Sequence, residues 1–291
     1  MEIIDGKLVA SHTLDSVKAE IIALGGLPPC VAFVRVGEDP ASVFYVGSKQ
    51  KAASRVGIES RLFVFPESIT EAQLLHEVAQ LNADPTVHGI LVQSPLPKTI
   101  SEQRIFDAIH PDKDVDGLNS LNQGLLCQED ERAFIPCTPL GVLELLAYYK
   151  VPTAGAHAVV VGRSVLVGKP AALLLMQKKS TANATVTLCH SRTTDLGYHT
   201  RQADILIAAI GRANTIRADM VKPGAVVIDV GINRLPDPKE TKGYRIVGDV
   251  AFDEVSPICS RITPVPGGVG LMTVAMLMKN TLKAWKRSRG I

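Results

Sequence analysis

Short apolar runs alternate with amphipathic stretches along most of this chain. Val31–Val36 (VAFVRV), Arg61–Phe65 and Gly89–Val92 are too short for helices and are rich in β-branched and aromatic residues, so they read as strands. Between them the apolar positions fall at helical spacing. A helix is predicted from about Ser42 to Val56 behind the turn Gly37–Pro40. Another covers Glu71–Leu81, where Leu74, Leu75, Val78 and Leu81 share a face, and a further one closes at Ile105–Ile109. The proline-punctuated connector Ile135–Gly141 and the amphipathic helix Val142–Tyr149 follow, and the alternation then resumes. Ala158–Val161, Ala184–Leu188, Asp204–Ile210 and Ala225–Val230 are mostly apolar runs of strand length, three of them closed by Gly162, Gly211 and Gly231. Ile246–Val250 is predicted to add a further strand. Arg261–Gly270 reads as irregular, Met272–Trp285 as a helix bearing Val274, Leu277, Met278 and Leu282 on one side, and Lys286–Arg289 as a frayed tail.

Strands that alternate with helices dictate an α/β fold with parallel sheets, because each crossover helix returns the chain to the same end of the sheet. The 291 residues are enough for two domains, each with its own core, and the connector places the change of domain near residue 140. The second domain reads as a Rossmann-like, doubly wound parallel sheet. No internal repeat or low-complexity segment interrupts this plan.

Charge narrows the function classes. With 31 basic and 29 acidic residues the formal charge is +2, which gives no field for nucleic acid. Five scattered cysteines, with no C-x-x-C pair, read as reduced thiols rather than a disulfide frame or a zinc site. The acidic N-terminal stretch and the absence of a long apolar run predict a chain that is neither exported nor membrane-spanning.

Candidate chemistry concentrates in a few stretches. In His157–Leu175 a strand runs into a glycine-edged loop and then a helix begun by Pro170, so a helix N-terminus and its dipole face the loop, as phosphate binding requires. The spacing of Gly162 and Gly168 departs from G-x-G-x-x-G, and closing a βα unit is an equally available role. The following strand ends at Ser191 and Arg192 where an NAD site usually has an acid. With Arg163 this favours a 2′-phosphate and hence NADP, although each arginine taken singly reads as a solvated side chain. Tyr45 and Lys49 lie one helical turn apart, either as a surface pair or with Lys49 as an acid, base or cation. Gln93 sits at the carboxyl end of a strand, as a ligand contact or as a loop tie. Asp112, Asp114 and Asp116 imitate the start of a calcium loop, but its twelfth position is Gln123, so calcium is rejected. Asp116 alone reads first as a self-capping turn and second as an acceptor for a heterocycle's N–H groups. Pro266, Gly267 and Gly268 suit either a hinge or close approach of backbone to a flat ligand.

Five motifs taken together, YVGSK at 45–49, VQSPLP at 92–97, DKDVDG at 112–117, GRSVLVGKP at 162–170 and PVPGGVG at 264–270, resemble the methylenetetrahydrofolate dehydrogenase/cyclohydrolase family in order and approximate separation over nearly the whole chain. The resemblance implies NADP-dependent oxidation of 5,10-methylenetetrahydrofolate followed by hydrolysis of the methenyl product to 10-formyltetrahydrofolate, part of one-carbon metabolism and purine biosynthesis, in a cytoplasmic homodimer joined through its nucleotide domains. It implies a folate-binding catalytic domain over 1–140 completed by the helix 271–291, an NADP-binding domain over 141–270, and a cleft between them. Lys49 matches the catalytic lysine, tuned by Gln93. Tyr45 and Asp116 would orient the tetrahydrofolate derivative, and Pro266, Gly267 and Gly268 would line the cleft. Gly162, Arg163, Ser164, Gly168, Ser191, Arg192, Gly211, Gly231 and Ile232 fall to NADP, and no residue falls to a metal. Two departures, Ser94 for a frequent Leu and Leu271 for a common Pro, adjoin the expected folate site. A monofunctional NADP dehydrogenase and a non-catalytic nucleotide sensor of the same fold are the alternatives.

Overall fold

The computed structural model describes residues 1–240 and 243–291. In chain order the elements are β1 (Glu2–Ile3), α1 (Gly6–Leu24), β2 (Cys30–Val36), α2 (Pro40–Val56), β3 (Glu59–Phe65), α3 (Glu71–Ala83), β4 (Gly89–Val92), α4 (Glu102–Ala108), α5 (Ser120–Cys127) and α6 (Cys137–Tyr148). There follow β5 (His157–Val161), α7 (Gly168–Met176), β6 (Thr185–Cys189), α8 (Leu196–Thr200), β7 (Ile205–Ala208), β8 (Val226–Asp229), β9 (Asn233–Pro236), β10 (Tyr244–Val247), α9 (Phe252–Val255), β11 (Arg261–Ile262) and α10 (Val269–Ser288). They form two compact units, Ser11–Cys137 with Val274–Ile291, and Met1–Ala10 with Thr138–Thr273.

The first unit is built on a three-stranded parallel sheet in the order β3-β2-β4. Every residue of β2 is buried, which is why VAFVRV carries no polar alternation. One face of the sheet (Ala32, Val34, Val36, Ile90, Val92) meets Leu74, Val78 and Leu81 of α3 and Ile105 and Phe106 of α4 in a continuous core. Local chemistry sets the helix ends. The Asp39 side chain accepts from Ser42 N, Pro40 fills the first turn, and Gly57 closes α2 in the left-handed region. Thr70 and Gln73 form a reciprocal capping box on α3.

The second unit holds a six-stranded parallel sheet in the order β1-β11-β8-β7-β5-β6. The chain steps from β5 outward to β6 and then crosses back to β7 on the other side of β5. The strand order therefore reverses between β5 and β7, the position at which open α/β sheets take their ligands.

Several expectations are corrected. The sequence reading gives residues 6–24 no element, yet they form α1. Its buried positions Val9, Leu14, Val17 and Ile21 keep helical spacing, but the exposed Leu8 and Ile22 blur the stripe. Ile246–Val250 does not extend the main sheet. Instead β10 pairs antiparallel with β9 as a separate ribbon, and its half-exposed, arginine-bearing pattern suits that place better than a central parallel strand. Residues 1–10 belong with the second unit, because β1 pairs with β11 and adds an edge strand there. The C-terminal tail is no frayed end: α10 continues to Ser288, Lys286 pairs with Glu20, and Arg287 bonds Asp112 at 2.6 Å while lying over the Phe134 ring.

The segment DKDVDG turns tightly between α4 and α5. Gly117 there has φ +71°, and a Cβ on it would lie 2.6 Å from the backbone of Ile135 and Pro136. Both the left-handed conformation and the close approach exclude a side chain. Gly117→Ala is expected to destabilise the chain by about 2–4 kcal/mol, the sum of backbone strain and overpacking. A urea unfolding titration checks this, and an unchanged midpoint would contradict it.

Candidate functional site

In the first unit α2 carries Tyr45 and Lys49 on one face, and the carboxyl end of β4 delivers Gln93 opposite. Lys49 is buried, with 9% exposure, and its Nζ donates to Gln93 Oε1 at 2.9 Å. Gln93 Nε2 donates to Ser94 O at 2.6 Å, which fixes the amide so that its oxygen faces the lysine. Burial pulls the Lys49 ammonium below the ordinary value of 10.5, against the opposing pull of the Asp116 carboxylate and of Cys137. A neutral acceptor at hydrogen-bond distance thus holds an amine that no ion pair locks into its charged form.

Asp116 stands half-buried beside this pair. The turn that presents it is tied by Asp114, the correction to the self-capping reading. Asp114 is fully buried and accepts from Leu118 N at 3.1 Å, Asn119 N at 2.9 Å and Asn122 Nδ2 at 2.8 Å. Burial raises its carboxyl to about 6 despite those three donors. With Asp114 performing the turn's internal bonding, the carboxylate of Asp116 meets the Cys137 thiol and keeps acceptor capacity for other partners. No group of three or more His, Cys, Asp or Glu residues suited to a metal ion occurs among the described residues.

Sequence reasoning missed two neighbours. Cys137 Sγ donates to Val115 O at 3.4 Å, and burial pushes this thiol well above its usual range, with Asp116 adding to the rise, so it stays a protonated donor. Asn280, from the last helix, donates through Nδ2 to Val115 O at 2.9 Å and Ile135 O at 3.0 Å, and so clasps the two backbone segments that flank the acidic turn. A polar amide among the apolar helix positions Met276, Leu277 and Ala284 was the available signal. Tyr45 is 36% exposed and makes an edge contact with Phe44, their ring centroids 5.8 Å apart. Ser94 follows Gln93 and is joined to Pro95 by a cis peptide bond.

In the second unit the loop after β5 meets the start of α7. A Cβ on Gly168 would sit 1.9 Å from Gly162 O, and one on Gly162, at φ +130°, would sit 2.0 Å from Ala209 O. Backbone therefore packs on backbone at the reversal of strand order, and α7 begins with no side-chain cap on its first amides. Val167 N donates to Ser164 Oγ and Lys169 N to Ser164 O, both at 3.1 Å, so it is the backbone cradle with Gly168 N and the helix dipole that fits a dinucleotide pyrophosphate. The parallel register Val161↔Cys189 sets the loops after β5 and β6 side by side, so Arg163, Ser164, Ser191 and Arg192, all exposed, stand at the same end of adjacent strands. The loop after β6 closes on itself, His190 N donating to Thr193 Oγ1 at 2.9 Å and Arg192 N to His190 Nδ1 at 3.1 Å. Gly211 is exposed at φ +74°, Gly231 is buried against Asp249, and Ile232 is 48% exposed. Gly268 is buried, its missing side chain matched to Thr263 and Pro264, and Gly6 abuts its carbonyl; Pro266 and Leu271 are exposed.

Comparison with known proteins agrees with both halves. Residues 4–116 match the family described as tetrahydrofolate dehydrogenase/cyclohydrolase, catalytic domain, and residues 136–289 match its NAD(P)-binding domain. The chain is 52% identical to the Bifunctional protein FolD of Pelodictyon phaeoclathratiforme over 99% of both proteins, and 52% identical to that of Rhodopirellula baltica over 97% of this chain and 96% of that one. Among solved structures it is similar to the Campylobacter jejuni bifunctional FolD enzyme, with 47% identity, 99% of each chain covered and a TM-score of 0.93. It is also similar to the Trypanosoma brucei methylenetetrahydrofolate dehydrogenase-cyclohydrolase complexed with NADP and an inhibitor, with 39% identity, coverage of 99% and 98%, and a TM-score of 0.93. Two domain matches in register, full-length relatives at half identity and the Lys49–Gln93–Asp116 grouping lead to one assignment: this chain is a member of the tetrahydrofolate dehydrogenase/cyclohydrolase family.

Proposed function

We propose that the chain oxidises 5,10-methylenetetrahydrofolate with NADP⁺ and hydrolyses the resulting 5,10-methenyltetrahydrofolate to 10-formyltetrahydrofolate. The observation that carries this reading is a lysine buried at 9% exposure, held by a neutral amide at 2.9 Å beside a carboxylate. That is the equipment for proton transfer by an amine whose burial favours loss of its proton.

In the oxidation the two nitrogens flanking the methylene carbon expel a hydride, which bound NADP⁺ accepts on its nicotinamide ring. The chain's part is to hold and orient. Asp116 accepts from the pterin amino group and N3–H, the Tyr45 ring stacks on the folate, and Pro266, Gly267 and Gly268 give it a backbone surface. Arg163, Ser164, Ser191 and Arg192 take the 2′-phosphate side of the cofactor, Gly162 and Gly168 the pyrophosphate, and Gly211, Gly231 and Ile232 complete the dinucleotide surface. In the hydrolysis water adds to the amidinium carbon and the bond from that carbon to N5 breaks. One proton of the water ends on N5, the other in solvent, and the formyl group remains on N10. Lys49 Nζ takes the proton from the attacking water and returns one to N5. The hydrogen bond to Gln93 consumes an N–H and leaves the amine lone pair for the water.

The reading extends to a homodimer joined through the nucleotide-binding unit and to a cytoplasmic setting. Family resemblance supports both, and no helix among the described residues is long and apolar enough to cross a membrane.

Lys49→Met is expected to lower methenyl hydrolysis at least about 10²-fold, the usual scale of a lost general acid–base group, with folate binding retained. Hydrolysis at the wild-type rate would remove Lys49 from the chemistry. The same substitution is expected to raise the melting temperature at pH 7. Burial places the folded pKa of Lys49 below its unfolded value, so the charged amine costs stability below that window and the cost vanishes as pH rises through it. The gap between variant and wild type should therefore close towards pH 10. Gln93→Glu puts a carboxylate against Nζ and favours the ammonium, so the rising limb of the hydrolysis pH profile should move to higher pH; an unmoved limb would count against tuning by Gln93. NADP⁺ is expected to support faster dehydrogenation than NAD⁺ at equal concentration, and Arg163→Ala to narrow the difference about tenfold in kcat/KM. Comparable turnover with both cofactors in the wild type would contradict this.

A further inference from the structure

The loop that follows β7 is wrapped around a carboxylate of the protein itself. Asp249 is fully buried; its Oδ2 accepts from Ile210 N at 2.6 Å and Gly211 N at 2.9 Å, and its Oδ1 accepts from Arg212 N and Asn233 Nδ2, both at 2.9 Å. Three consecutive amides converging on one anion form the kind of concavity that elsewhere receives phosphate or another anionic ligand. Here the occupant comes from the turn after β10. Asp249 is itself pinned, because its backbone N donates to Asp229 Oδ1 at 2.9 Å and Val250 N donates to Asp229 Oδ2 at 2.9 Å. Asp229 Oδ1 also accepts from Gly231 N at 2.9 Å, so the two carboxylates between them hold the loops after β7 and β8. The fit leaves no slack: a Cβ on Gly231 would lie 2.3 Å from the Asp249 carboxylate.

These loops stand at the carboxyl ends of neighbouring strands, and the loop after β7 borders the reversal of strand order where a ligand of this sheet must lie. We propose that Asp249 is a positioning residue for the dinucleotide: its buried carboxylate sets the shape of Ile210–Gly211–Arg212 that receives the cofactor, without touching the cofactor. Because it fills the amide concavity, it also denies that concavity to the cofactor's phosphates, which leaves the N-terminus of α7 as their anchor. The inference rests on the reading that this unit binds NADP.

Asp249→Asn tests it. The amide keeps the shape but turns an NH₂ group towards amide donors, so the loop loses part of its brace. The affinity for NADP⁺, measured by calorimetric titration, is expected to fall about tenfold or more, because small displacements of a binding loop cost that much. KM for NADP⁺ should rise by the same factor. Hydrolysis of methenyltetrahydrofolate, assayed without dinucleotide, should keep its kcat and KM, which a variant that merely damaged the fold would not do. Hydrogen exchange of amides 210–212 should speed up while that of β5 and β7 does not. Unchanged NADP⁺ affinity in the folded variant overturns the proposal, as does an equal loss of both activities. Should Asp249→Asn fail to fold, Asn233→Ala decides, since it removes one of the four donors and spares the backbone. A two- to fivefold weakening of NADP⁺ with normal hydrolysis supports the proposal, and unchanged NADP⁺ affinity refutes it. A wild-type chain that binds no NADP⁺ sinks the functional reading itself and shows this before any variant is made.

Discussion

Desolvation of a single amine governs the first unit. Lys49 would be unremarkable on the surface of α2. What changes its chemistry is burial against β4 with an amide, rather than a carboxylate, at hydrogen-bond distance. A carboxylate in Gln93's place would hold the proton on the lysine, whereas an apolar residue would leave a buried donor without a partner. An amide oxygen does neither. The nearby Asp116 carboxylate limits the depression of the pKa without making an ion pair that would lock the charge, so burial eases loss of the proton while the ammonium keeps a stabilising neighbour.

Most of the fold was legible because its strands are buried on both faces and its helices on one. VAFVRV, GILV and the runs at 158, 205 and 226 announce themselves as parallel strands through unbroken apolar character. What stayed hidden depends on tertiary partners. The edge strand β1 and its neighbour β11 have two residues each and owe their existence to pairing. The ribbon of β9 and β10 alternates weakly, and α1 carries apolar residues on its solvent side that dilute its stripe. In the site, the i,i+4 spacing of Tyr45 and Lys49 was readable, as was the terminal place of Gln93 on its strand. Which of three aspartates turns the loop and which faces outward was not, because that is settled by the amides of Leu118 and Asn119 and the side chain of Asn122. The part of Asp249 was equally invisible, since it acts on backbone far away in sequence and spacing carries no trace of such a contact, whereas Asn280 showed only as a polar amide on an apolar helix face, without its partners.

Both units solve the same problem alike. A ligand-binding loop must be irregular, yet irregular backbone has unpaired polar groups and little to keep it in one shape. Here buried side chains take the place of a ladder. Asp114 gathers the turn that presents Asp116, Asp249 gathers the loop after β7, and Asp229 gathers the residues that carry Asp249. Burial pushes Asp114 and Asp229 up to about 6, a measure of what these braces cost in desolvation, and several N–H donors on each carboxylate offset much of it.

Asn280 gives the first unit a property of time as well as of shape. The carbonyls of Val115 and Ile135 receive their shared donor from a residue 165 and 145 positions further along the chain. While the ribosome is still translating, the acidic turn has its local glycine and its aspartate brace but lacks this clasp. Final geometry around Asp116 must therefore await the emergence of Asn280 from the exit tunnel, so competence for chemistry arrives well after the residues that carry it have been made.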